Sequence, residues 1–92
     1  MLLITGSARP APGARDRLVA AVREISTATQ GDPGCLHYLF AASLEDDAII
    51  SLELWRDQAA LDAHMNHEHT RRFLSSLDGL FDGEPVMQQT EL

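Results

Sequence analysis

Three histidines fall within six residues, at His64, His67 and His69. Imidazole ordinarily titrates near neutrality, so it is the side chain best suited to take a proton at physiological pH. His64 shares the apolar side of its segment with Ala60 and Leu61, which turns it toward an interior. There it acts either as a general base on a phenolic or activated C–H group, or as a hydrogen-bonded buried histidine that orders the chain. His69 shares a stripe with Phe73 and Leu77 near the start of a helix, where the positive end of the dipole disfavours imidazolium and preserves a proton acceptor. A structural role at a helix junction is the alternative. His67 sits in the polar run Asn66-His67-Glu68 and is expected in solvent. The three histidines are three, five and two residues apart. A helical two-histidine metal site needs i,i+4 and no suitably placed cysteine accompanies them, so no metal is expected.

The aromatic residues suggest what such a base would act on. Trp55 offers a large flat face for a planar aromatic substrate, or else packs the core on its strand. Phe73 is a candidate wall beside His69. Tyr38 and Glu53 belong either to the same cavity or to an interface, because alternation alone does not say which face they occupy. Cys35 follows a turn with no His or Lys beside it and reads as a small buried hydrophobe rather than a nucleophile. The chain lacks G-x-G-x-x-G, G-x-x-x-x-G-K-[ST] and G-x-S-x-G, so no cofactor is expected.

Positioning these groups falls to a short series of elements. Leu2 to Arg9 alternates as a strand with Leu2, Ile4, Gly6 and Ala8 on one face. Pro10-Ala11-Pro12-Gly13 stops it, and from Ala14 the stripe Leu18, Val22, Ile25 and Thr29 predicts a helix with one buried face. Gly31-Asp32-Pro33-Gly34 ends that helix. Cys35 to Leu44 and Ala48 to Arg56 read as a hairpin across Glu45-Asp46-Asp47. The second of these strands puts Ile50, Leu52 and Leu54 on one face but Ile49 and Trp55 on the other, so both faces need cover. Asp57 caps a short helix holding Leu61 and Met65, broken at Asn66-His67-Glu68. A last helix carries Phe73, Leu74, Leu77, Leu80 and Phe81, and after Asp82-Gly83 and Pro85 a final strand, Val86 to Glu91, is placed at an edge.

The order βαββαβ is the ferredoxin-like split βαβ arrangement, an α+β fold with helices on one sheet face. Residues 1–92 form one domain, and a chain this short buries only a modest share of its surface alone. Covering the second face with another copy gives a homodimer, an α+β barrel of two sheets. The formal charge of −7 argues against nucleic acid and anionic membrane surfaces as partners. No stretch reaches a membrane span, one cysteine makes no internal disulfide, and the MLLIT start has no secretory pattern; a cytoplasmic protein is expected.

Pro33-Gly34-Cys35-Leu36-His37-Tyr38, then Glu53-Leu54-Trp55, then Ala60-Leu61-Asp62-Ala63-His64, and finally His69 with Phe73, follow one another in the order and spacing of a known domain. The chain resembles the antibiotic biosynthesis monooxygenase family, in which PGC-x-x-Y, E-x-W and A-L-x-x-H…H-x-x-x-F recur. The resemblance covers essentially the whole chain and implies the dimeric α+β barrel. It also implies cofactor-free, oxygen-dependent oxidation of a small aromatic quinol or anthrone, as in the quinol-monooxygenase type. Trp55 matches the tryptophan of the quinone-forming relatives, and Ser51 stands where they carry an asparagine. Haem-degrading relatives use an Asn, a Trp and a ligating His, which correspond here to Gly6, His64 and Leu74, so haem is not expected. The expected assignment is therefore His64 and His69 as catalytic residues, with Trp55, Tyr38, Ser51 and Phe73 binding substrate. An isomerase of a small carbonyl compound and a non-catalytic dimeric ligand-binding or stress-response module are the alternatives.

Overall fold

A computed structural model describes residues 1–92. Seven elements follow in chain order: β1 (Leu2–Ala8), α1 (Arg15–Thr29), β2 (Cys35–Ala42), β3 (Ile49–Trp55), α2 (Gln58–Asn66), α3 (Glu68–Ser76) and β4 (Val86–Glu91). The strands form one open antiparallel sheet in the order β2-β3-β1-β4, which is the ferredoxin-like α+β topology expected from the sequence. β4 lies at an edge, where the preceding Pro85 interrupts no ladder.

Each element follows from local chemistry. The stripe Leu18, Val22, Ile25 and Thr29 is the buried face of α1. It packs on the side of the sheet that carries Leu2 and Ile4 of β1, Tyr38 of β2, and Ile49 and Trp55 of β3. Asp57 caps α2 by accepting a hydrogen bond from the Ala60 amide at 2.9 Å. The chain turns extended at His67, which ends α2 and begins α3, and the His67 Nδ1 accepts from the His69 amide. The Gln30 side-chain amide and the Tyr38 carbonyl, 3.0 Å apart, tie the end of α1 to β2.

Two sequence expectations need adjustment. The last helix stops at Ser76, with Leu77 as its cap, so Leu80 and Phe81 lie beyond it; Leu80 still reaches the core, and Phe81 bridges to Pro10. Their helix-like spacing reflects a chain that folds back along the same apolar surface after the turn at Gly79. The hairpin strands are also shorter than the apolar run suggests, because residues 43–48 form the bend, where Asp46 accepts from the Ala48 amide.

Gly34 is required where it stands. Its φ is +79°, and a Cβ there would lie 2.5 Å from the Cβ of Ala60. Backbone strain and a clash with α2 would act together, so Gly34→Ala is expected to destabilise by about 2 kcal/mol or more. In a domain of this size that lowers Tm by roughly 10 °C, as thermal unfolding followed by circular dichroism would report. An unchanged Tm would remove the argument.

Candidate active site

The helices do not close completely on the sheet. Between them lies a cavity of about 400 Å³, walled by apolar side chains of α1 and α3 and floored by the middle of β3 and its neighbours. The polar groups on its wall are few and gathered together: Tyr38, Ser51, Glu53, His64 and Thr70, with Ser7 at one side. An apolar chamber with a small convergent polar set is the usual form of a small-molecule site. Gly6 keeps the floor low, since a Cβ there would meet the Ser51 hydroxyl at 2.5 Å and the Met87 sulfur at 2.6 Å.

The chemistry is organised around Asp32. This residue sits in the turn after α1, where its amide donates to the Thr29 carbonyl and its own carbonyl accepts from the Cys35 amide. Its side chain is only 8% exposed. The break at His67 brings the last turn of α2 and the first turn of α3 over that carboxylate, so that one oxygen, Oδ2, takes two imidazoles. It lies 2.8 Å from the Nδ1 of His64 and 2.9 Å from the Nε2 of His69. Burial alone would push the Asp32 carboxyl up, but the hydrogen bonds from His64 and His69 outweigh it and hold the group below its ordinary range. An ionised Asp32 accepts from both rings, which fixes the tautomers: His64 carries its proton on Nδ1 and His69 on Nε2.

The consequence for His64 is specific. The ring is 3% exposed, forms part of the cavity wall, and has its Nε2 left as a lone-pair acceptor without a protein partner. The Thr70 hydroxyl lies 3.2 Å from its Nδ1. Behind it stands Trp55, with ring centroids 4.7 Å apart, and Tyr38 lies at 5.5 Å. An imidazole on a cavity wall, oriented by a buried carboxylate and with its second nitrogen unpartnered, is an arrangement suited to a general base.

Of the residues singled out from sequence, His64, Tyr38, Ser51 and Phe73 line this cavity. Trp55 does not: it is fully buried behind the wall, packing against His64 and donating from Nε1 to the Glu53 Oε1 at 3.0 Å. His69 is off the cavity wall and is linked to it only through the Asp32 oxygen it shares with His64. Its own ring faces a separate concavity between α1 and α3, stacked on His67 at 3.8 Å. Tyr38 and Glu53, whose face the alternation left open, are cross-strand partners on the helix side. Burial raises the Glu53 carboxyl above its ordinary range, and it raises the Tyr38 phenol as well, with the Glu53 charge adding to the latter. Cys35 is partly buried, and burial pushes its thiol up, away from thiolate chemistry.

Asp32 and Thr70 are the site residues that sequence reasoning missed. Asp32 lies in Gly31-Asp32-Pro33-Gly34, where Asp is so common for turn reasons that its type gives no signal. With it, two nitrogens and one oxygen lie within 4.8 Å of one another, a donor set suited to a divalent cation and invisible to any count of histidine spacings. The shared oxygen itself lies between the rings at hydrogen-bond distances, so protons suffice to join the three groups.

A match to the antibiotic biosynthesis monooxygenase family spans residues 1–75. The chain belongs to that family. A solved structure described as an antibiotic biosynthesis monooxygenase superposes with a TM-score of 0.91 at 26% identity, covering 100% of this chain and 98% of that one. The PA3566 protein of Pseudomonas aeruginosa is 29% identical with a TM-score of 0.89, over 97% of this chain and 90% of its own. Rv0793 of Mycobacterium tuberculosis shares the fold, with a TM-score of 0.94 at 22% identity over 99% and 93% of the two chains. Among curated proteins, the uncharacterized sll1783 of Synechocystis is 26% identical over 74 residues, 79% of this chain; the chain spans half the length of that relative. No helix is long and apolar enough to cross a membrane.

Proposed function

We propose that this member of the antibiotic biosynthesis monooxygenase family oxidises a small electron-rich aromatic, a quinol or an anthrone, with O2 and without a cofactor. The observation that carries the reading is the placement of His64: its Nδ1 is held 2.8 Å from the Asp32 Oδ2, and its ring forms part of the wall of an apolar cavity of about 400 Å³. His64 Nε2 takes the proton of a phenol or an activated methylene. The resulting carbanion or phenolate is electron-rich enough to reduce O2 directly, the substrate supplying all the electrons. For a methylene the balance is one ring CH2 group and one O2 giving one ring carbonyl and one water: two C–H bonds break, one oxygen atom enters the product, and the other leaves as water with both hydrogens. For a quinol, both O–H bonds break and the two electrons and two protons pass to one O2, giving the quinone and hydrogen peroxide. Asp32 stabilises the imidazolium formed on the way, and the apolar wall excludes bulk water from the anion. Tyr38, Ser51 and Phe73 hold the ring system, Ser51 offering a hydroxyl to a substrate oxygen. Trp55 supports the site from behind by fixing Glu53 and packing on His64. Oxygen uptake and quinone absorbance measured with a panel of quinols and anthrones test the reading; no uptake with any of them would favour an isomerase or a ligand-binding module.

The second part of the reading is a homodimer. The outer sheet face carries Leu3, Leu39, Ile50, Leu52, Leu54 and Val86, of which Leu39, Ile50 and Val86 are 44%, 40% and 69% exposed in a single chain. All three helices lie on the opposite face, so a second copy packed face to face gives each sheet its missing cover. Leu52 is on β3, a central strand of that face. Leu52→Asp is expected to weaken association by about 100-fold or more, the scale of a buried interface anchor. Equilibrium sedimentation at micromolar concentration would show a dimer for the natural chain and a monomer for the variant. A natural chain that stays monomeric on concentration would remove the barrel.

A further inference from the structure

The cavity wall holds a carboxylate and no cation. All seven basic side chains of the protein are arginines, and none reaches the cavity. Arg9 pairs with Asp46 and Asp47, Arg56 with Asp57, and Arg71 with the Asn66 carbonyl, while Arg72 faces the separate concavity between α1 and α3. Against this, Glu53 stands on the floor. Its Oε1 is taken by the Trp55 indole at 3.0 Å, and no protein donor reaches its other oxygen. The adjacent strands offer nothing charged at this level: Ile4 and Tyr38 are its cross-strand partners. The other titratable groups on the wall are the Tyr38 phenol, which burial keeps in its neutral form, and His64, whose Nδ1 is engaged by Asp32.

We propose that Glu53 is the specificity-determining residue of the cavity: its free oxygen accepts a hydrogen bond from a hydroxyl of a neutral planar aromatic, and its charge excludes ligands bearing a carboxylate or phosphate. The inference rests on the functional reading above for the cavity being the substrate site. A neutral phenol satisfies the open acceptor. A carboxylate in the same place meets a like charge in an apolar chamber, finds no arginine or lysine, and loses its water. A ligand's own anion is tolerated only when made in place, with its proton passed to His64, so total charge is unchanged.

The test is calorimetric binding of three ligands of one ring system: 2-naphthol, 2-naphthamide and 2-naphthoate. The natural protein should bind the neutral naphthol and naphthamide, with 2-naphthoate weaker by about 100-fold or more. Naphthamide matches naphthoate in shape and differs in charge, so this comparison needs no variant. Glu53→Gln keeps an acceptor for the Trp55 indole and removes the charge, and the preference for naphthol over naphthoate should then narrow at least tenfold. A purely structural role for Glu53 would shift all three affinities together. Equal binding of naphthol and naphthoate by the natural protein would overturn the charge selection alone. Failure of all three to bind would overturn both this inference and the functional reading beneath it.

Discussion

Replacing His64 by alanine is expected to lower oxygen-dependent turnover of a quinol or anthrone by about 10²–10⁴-fold, the usual contribution of a general base. His67→Ala, in contrast, should leave the rate within about twofold, because that ring is exposed, caps the start of α3 and stacks on His69 without touching the cavity. His69→Ala should fall between them. It removes one of two donors to Asp32 but leaves the His64 ring on the cavity wall. The ordering separates chemistry from folding, since His67 and His69 both belong to the helix junction and His64 differs from them in facing the cavity. Circular dichroism on each variant checks that the fold persists. Equal turnover by the natural protein and His64→Ala would exclude this histidine as the base, even if oxygen uptake itself were found.

The periodicity of the chain determines much of this architecture in advance. The α1 stripe and the alternation of β1 and β3 each carry one unambiguous period, and each element has a chemical stop: Gly31-Asp32-Pro33-Gly34, the acidic bend at residues 45–47, and the Asp57 cap. What periodicity could not assign was polarity. On β3 the face covered by helices holds Ser51 and Glu53 in its middle, while the face turned away from them holds Ile50, Leu52 and Leu54. A rule that puts apolar residues inward would reverse the two. The polar residues on the covered side line a cavity, and the apolar residues on the open side are the surface the proposed second copy would cover.

The site was less legible for a related reason. His64 was recognisable because it interrupts the apolar side of a helix, but its partner is 32 residues earlier in a turn and shares no period with it. Long-range pairs of this kind depend on where α2 packs, and that in turn depends on Gly34 admitting Ala60 beside the turn. Trp55 shows the opposite error. A large aromatic at a strand end suggests a substrate platform, yet in 92 residues the same ring is needed to fill the core, and there it is fully buried.

Asp32 should therefore matter as much as His64, the proposed base that it orients, and two substitutions divide its roles. Asp32→Ala removes the acceptor that the His64 and His69 N–H groups share, leaving His64 only the Thr70 hydroxyl at 3.2 Å, which costs roughly 1–3 kcal/mol for each donor left unpaired. It also frees His64 to carry its proton on Nε2, where it no longer accepts one from substrate. Turnover should fall about as far as in His64→Ala, and the protein should melt at least several degrees lower. Asp32→Asn can keep an oxygen at the shared position, 2.8 Å from His64 and 2.9 Å from His69, while removing the negative charge that stabilises imidazolium. Its stability should lie nearer the natural protein's, with kcat reduced by about 10²-fold or more and KM little changed, since no substrate contact is lost. Nitrogen chemical shifts of His64 report the tautomer directly: proton on Nδ1 in the natural chain, and mixed in Asp32→Ala. Because the Asp32 carboxyl is held below its ordinary range, the stability it contributes is present above that range and is lost as pH falls through its own lowered titration. The gap in Tm between the natural protein and Asp32→Ala should accordingly persist at neutral pH and close in strong acid. A natural tautomer in Asp32→Ala with undiminished turnover would show that the cavity positions His64 without help from the carboxylate.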